Sequence, residues 1–197
     1  MKNVFDKIPE RSAILILGPP LSSKDNILYS LVSKELVHDS SVIFITTDHF
    51  PKDIEDILQK YSINPKKYEK SGNLRFIDCY SAQARDTYSH TEAAVITPGP
   101  LALNEISVAL AEIENFLYRK NKKQFVIFQS LSTLLIYSRP EAIERFVQVI
   151  VARTKRVNGT IIFTIEEGMH DEKVVVGFEH LMDGIITLSD KKPLLRT

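Results

Sequence analysis

The feature that most constrains the fold is a set of short apolar runs with almost no polar alternation. They are Ala13–Leu17, Val42–Ile45, Leu74–Ile77, Phe125–Phe128, Ile161–Ile165 and Gly184–Leu188. A strand with one solvated face alternates, whereas an unbroken run marks a strand covered on both faces. Amphipathic stretches separate the runs. Ile27, Leu28, Leu31, Val32 and Leu36 recur at helical spacing, and Ile106, Ala109, Leu110, Ile113 and Leu117 form the longest stripe. Ile54, Ile57 and Leu58, and Ile143, Phe146, Val147 and Ile150, repeat the pattern. Each stripe predicts a helix resting one apolar face on a sheet. The alternation predicts an α/β chain: a parallel-dominated sheet with helices on both faces. The stretch Ser81–Pro100, rich in Ser, Thr and Pro, reads as a long irregular connection.

The chain's 197 residues suit one domain over 1–197 with a substantial core. A single cysteine, Cys79, excludes an internal disulfide or a multi-thiolate metal site and reads as a core thiol. Met1–Glu10 has no apolar h-region, and no stretch is long and apolar enough to cross a membrane. A cytoplasmic protein with no membrane partner is expected. Lys and Arg number 25 against 25 Asp and Glu, so no net charge draws nucleic acid from a distance. Glycines number seven, about half the usual share of ~7%.

That shortage matters in the loop after the first run. In open α/β sheets, ligands bind at the carboxyl ends of strands. Gly18-Pro19-Pro20-Leu21-Ser22-Ser23-Lys24-Asp25 lies there and matches the phosphate-binding pattern G-x-x-x-x-G-K-[ST] only in part. Gly18 and Lys24 keep their spacing. Ser23 replaces the second glycine, and Asp25 replaces the magnesium-binding hydroxyl. Gly18, Ser22, Ser23, Lys24 and Asp25 are therefore the candidate nucleotide contacts. Asp25, in a first helical turn, is also a candidate internal stand-in for the anion. An ordinary strand-to-helix turn with a surface lysine is the plainer reading of the loop alone.

Other segments add to this in order. Phe44–Ile54 contains Asp48-His49 and then Pro51, Gly72–Ser81 contains a further strand, and Leu103–Ser107 opens a long helix. Phe125–Leu135 ends Gln129-Ser130-Leu131-Ser132-Thr133-Leu134-Leu135, and Gly168–Glu172 and His180–Gly184 follow. Together these resemble the KaiC/RadA-like branch of the RecA ATPase superfamily, abundant in archaea, over roughly residues 12 to 188. The resemblance implies a RecA-like P-loop fold. It also implies where the chemistry should lie, and there the chain departs. Gln129 stands at the Walker B carboxylate, and Asp48-His49 replaces a Glu-Glu pair. Asp48 and Gln129 are thus the degenerate catalytic positions. Lys192 and Arg196 are candidate relics of a residue reaching a neighbour's nucleotide.

Phosphoryl transfer depends on positioning and electrostatic stabilisation. A lost general base costs ~10²–10⁴ in rate, and a misplaced metal removes further charge stabilisation. The expectation is a pseudo-ATPase without a cofactor: a regulatory or scaffolding module acting on a protein partner, itself or an active RecA-family relative. The rival expectation is an ATP-binding protein or weak ATPase that uses ATP and Mg²⁺ through the altered loop. A recombination or repair accessory that binds single-stranded DNA is a third class. The acidic stretch Glu166–Glu172, which would repel phosphates, disfavours it. His49, His170 and His180 lack the spacing of a metal site, and no G-x-S-x-G elbow surrounds Ser22 or Ser130.

Overall fold

The computed structural model describes residues 7–20, 22, 24–84, 93–189 and 192–196, the last five and Ser189 as backbone only. The elements run β1 (Ala13–Gly18), α1 (Lys24–Val37), β2 (Ser41–Thr46), α2 (Pro51–Lys60), α3 (Pro65–Ser71), β3 (Leu74–Asp78), α4 (Ser81–Ala84) and β4 (Ala94–Ile96). Then follow α5 (Leu103–Arg119), β5 (Gln124–Gln129), α6 (Leu131–Tyr137), α7 (Pro140–Arg156), β6 (Thr160–Glu166), α8 (Glu172–Glu179), β7 (Gly184–Ser189) and β8 (Lys192–Arg196). One sheet joins all eight strands in the order β4-β3-β2-β5-β6-β1-β7-β8. Strands β1 to β7 pair in parallel, and β8 closes on β7 antiparallel.

The unbroken apolar runs arise because the sheet has a core on each face. Ala13, Leu15 and Leu17 of β1 join Val126 and Phe128 of β5 under α5, α6, α7 and α8. Ile14 and Ile16 point the other way, to Phe44, Phe76 and Ile127 under α1 and α2. Period-2 alternation persists, but both faces are dry, so no polar position marks it.

Local signals fix several helix ends. Pro51 and Pro140 open α2 and α7, where a missing N–H costs nothing. Asn64 caps α3, Ser130 caps α6 and Asp171 caps α8, each accepting a backbone N–H two or three residues on. Gly72 ends α3 at φ +80, in the left-handed region. The expected irregular connection from Ser81 to Pro100 is not wholly irregular, for it contains α4 and the edge strand β4. Among the described residues, no helix is long and apolar enough to cross a membrane.

Candidate functional site

Strand order assembles the site. β6 lies between β1 and β5, and β2 flanks β5 on the far side. Registers of Gly18 with Glu166 and of Thr46 with Gln129 bring four carboxyl ends level. The loop after β1, the Asp48-His49 turn, Gln129 and Glu166 therefore share one rim.

Lys24 opens α1 and is buried, 4% exposed, although its head is a cation. Its Nζ lies 3.0 Å from Glu166 Oε1 and 3.9 Å from Asp25 Oδ2. Ser130 Oγ donates to the other Glu166 oxygen at 3.1 Å, and the Glu166 N–H donates to Ser132 Oγ at 2.9 Å. Burial pushes the Glu166 carboxyl up, but hydrogen bonding with Ser132 and Lys24 outweighs it and holds the group below its ordinary value. His170 Nε2 sits 2.9 Å from Ser132 Oγ, and burial pushes that imidazole down, towards its neutral form.

A second chain of contacts joins the start of α1, after the β1 loop, to Gln129 at the end of β5. Gln129 Nε2 donates to Asp25 Oδ1 at 3.4 Å, and Tyr29 OH donates to Gln129 Oε1 at 3.3 Å. Both ends of the amide are thereby occupied. Burial raises the Asp25 carboxyl, and the nearby Lys24 only partly offsets it. Burial likewise raises the Tyr29 phenol. Thr47 ties β2 to β5: its N–H donates to Gln129 O at 2.9 Å, and its hydroxyl accepts from the Ser130 N–H, also at 2.9 Å.

Asp48 faces its own neighbour. His49 Nδ1 lies 2.7 Å from Asp48 Oδ1, and that bond raises the imidazole against the opposing effect of burial. Ser22 Oγ accepts the Lys24 N–H at 3.4 Å. Gly18 packs tightly: a Cβ there would lie 2.8 Å from Ser22 Oγ. Ser23, with Leu21, falls outside the described residues.

The sequence thus locates the loop and the Gln129 position but not the wiring between them. In the sequence Glu166 reads only as part of an acidic loop and Tyr29 carries no signal for this rim, while Ser130 and Ser132 stand in the Gln129–Leu135 segment with no role assigned to them. The available signal for Glu166 is a carboxylate ending the fifth apolar run. Cys79 is buried, and burial pushes its thiol up to about 12, so it is inert at neutral pH. Among the described residues, no group of three or more His, Cys, Asp or Glu could hold a metal ion.

Residues 11–188 match the family described as "Family of unknown function (DUF7504)". The chain belongs to that family. A UPF0273 protein of Sulfurisphaera tokodaii is 25% identical over 193 residues, covering 94% of this DUF7504 chain and 64% of that protein. The chain thus spans just under two-thirds of that relative's length. A UPF0273 protein of Thermotoga maritima is 22% identical over 182 residues, with 92% and 72% covered.

Among solved structures, the uncharacterised protein PH0321 of Pyrococcus horikoshii, crystallised with an unknown peptide, superposes with a TM-score of 0.75. Identity to it is 18%, over 98% of this chain and 84% of that one. The KaiC-like protein PH0186 of the same organism gives a TM-score of 0.67 at 14% identity, covering 96% and 80%. These likenesses establish the fold alone: α/β, of the RecA-like P-loop NTPase type.

Proposed function

We propose that this DUF7504 chain is a non-hydrolysing regulatory or scaffolding module that works through protein contacts, with itself or with an active RecA-family relative. One observation carries the reading: the lysine kept for phosphate already has its counter-charge, Glu166, 3.0 Å away in a largely buried setting. A phosphate would have to displace a carboxylate that Ser130 Oγ also holds, on a residue whose backbone N–H is fixed by Ser132 Oγ.

The remaining donors fit Mg²⁺ and a polyphosphate poorly. Magnesium takes oxygen ligands in near-ideal octahedral geometry. Gln129 turns its NH₂ towards Asp25 and its oxygen towards Tyr29, leaving no free carboxylate at the Walker B position. Asp25 adds negative charge where phosphate charge would lie, and Asp48 is engaged by His49. DNA binding is disfavoured too, since Lys122, in the basic stretch after α5, pairs with Asp39 at 2.9 Å. The peptide crystallised with PH0321 supports protein contact as a role open to this fold.

The test is equilibrium binding of ATP with and without Mg²⁺. The module reading expects no Mg²⁺-dependent binding. Tight Mg²⁺-dependent binding abolished by Lys24→Ala would overturn it in favour of an ATP-binding protein with an altered loop.

A further inference from the structure

Lys24 is 4% exposed, and among the described residues its nearest counter-charge is Glu166 Oε1 at 3.0 Å. Asp25 Oδ2 is further off, at 3.9 Å, and the other Asp25 oxygen faces the Gln129 amide. Glu166 is thus the principal anion on the lysine. A lysine at a helix start is otherwise a seat for a phosphate-bearing ligand. The Glu166 carboxylate stands in that seat, although it comes from a neighbouring strand and not from the loop.

The backbone beneath this contact is fixed without it. The Glu166 N–H donates to Ser132 Oγ and the Glu167 N–H donates to Gly18 O, each at 2.9 Å. His170 Nε2 meets the same Ser132 hydroxyl at 2.9 Å, so one oxygen fastens both ends of the turn from Glu166 to His170. The carboxylate itself is held by Lys24 on one oxygen and by Ser130 Oγ on the other, at 3.1 Å. Its side chain keeps 17% exposure, so rotation about its own bonds carries the charge towards water while β6 stays in place. A second anion beside Lys24 would meet a like charge in a largely buried setting, where repulsion is several times stronger than in water. The lysine therefore takes the carboxylate or a ligand, and not both.

We propose that Glu166 is an internal plug, an autoinhibitory contact that keeps phosphate-bearing anions off Lys24, and that withdrawing this one side chain opens the site. The seat is closed by the residue that ends β6, and the lysine and the helix start beneath it remain competent. This rests on reading the chain as one that does not turn over nucleotide, and it specifies how that same site is regulated.

The test is a metal-free titration of inorganic pyrophosphate into the full chain and into its Glu166→Gln variant, followed by calorimetry and thermal melts. Gln keeps an oxygen for Ser130 and removes the charge. The variant is expected to bind at least tenfold more tightly than the wild-type chain. At about ten times its Kd, pyrophosphate should raise the variant's Tm by roughly 4 °C. Lys24→Met added to Glu166→Gln is expected to abolish both effects. The ATP titration of the wild-type chain reports separately on whether the unaltered site takes nucleotide, so either reading can fail alone. Equal binding by the wild-type chain and the variant, no binding by the variant, or binding that survives Lys24→Met overturns the plug. If Glu166→Gln alone leaves the chain unfolded, pyrophosphate should restore the folded far-ultraviolet circular dichroism spectrum and chloride of equal ionic strength should not. Failure of pyrophosphate to restore it overturns the plug as well.

Discussion

Glu166 Oε1 lies 3.0 Å from Lys24 Nζ, with the lysine side chain 5% exposed and the glutamate 17%. The contact follows from strand order, because β6 runs beside β1 with Gly18 level with Glu166. A helix start and its lysine ordinarily attract phosphate, and here the chain supplies the anion. Glu166→Gln would leave a charged lysine buried without its carboxylate. Breaking a fully buried pair costs about 3–5 kcal/mol. Because Glu166 keeps some exposure, roughly 2 kcal/mol is expected, read from urea unfolding at pH 7. Adding Lys24→Met should recover most of it. The carboxyl is held below its usual 4.5, so its contribution is present above that pH and is lost as pH falls through the lowered value. The Glu166→Gln variant should lack this acid-side loss.

Gln129 is wedged between an acceptor-only carboxylate and a phenol, 3.4 Å from Asp25 Oδ1 and 3.3 Å from Tyr29 OH. Gln129→Glu, nearly isosteric, puts a carboxylate at the end of β5 and sets it against Asp25. Two carboxylates in contact raise one another's pKa, adding to the rise burial already gives Asp25. The variant should be less stable at pH 7 by about 1–2 kcal/mol, a fall in Tm of roughly 3–6 °C. Because the folded form then holds a proton more tightly than the unfolded chain, the loss should shrink as pH falls towards 4. Thermal melts across that range check both statements. A variant equally stable at pH 7 would show that the Gln129 amide donates nothing of consequence to Asp25.

What can be read from the residues depends on how local the cause is. β1 is legible because Ala13, Leu15 and Leu17 enter one core while Ile14 and Ile16 enter the other, leaving no polar position. β4 is not legible, since Ala94–Ile96 is three residues at an edge with partly exposed side chains and looks like loop. The seven-residue helix α6 shows no stripe of its own and depends on the Ser130 cap and on packing of Leu131 and Leu134. In the site, Gly18 and Lys24 are legible from their spacing within one loop. The partner of Lys24 is not, because Glu166 reaches it only through the placing of β6 beside β1, which no nearby residue records.

Gly18 survives in a chain otherwise short of glycine, and the reason is space. A Cβ there would lie 2.8 Å from Ser22 Oγ and 3.3 Å from Leu188 Cβ and Cδ1. Ser22 can rotate aside, but Leu188 is 5% exposed in the core. Gly18→Ala should cost about 1–2 kcal/mol by overpacking. Adding Ser22→Gly relieves only the first clash, so the double variant should recover part of the loss in chemical denaturation. Full recovery would locate the constraint in the loop alone, and no loss would show that Leu188 yields freely.

Away from the rim, Glu114 of α5 has no exposed surface, and its Oε1 accepts from the Thr154 hydroxyl of α7. Its Oε2 has no hydrogen-bond partner among the described residues, and neither does Gln124 Oε1 at the start of β5. Burial pushes the carboxyl up to about 7, with Thr154, Arg153 and Arg156 opposing the rise. The folded form therefore binds this proton more tightly than the unfolded chain. Stability should fall as pH rises from about 4.5 to about 7 and level off above, a loss on the order of 2–3 kcal/mol. Glu114→Gln keeps the acceptor for Thr154 and cannot ionise, so it should flatten this slope and be the more stable protein at pH 8. Urea unfolding of both proteins between pH 5 and pH 8 checks the difference, and parallel profiles would mean that Glu114 ionises in the folded chain much as it does in water.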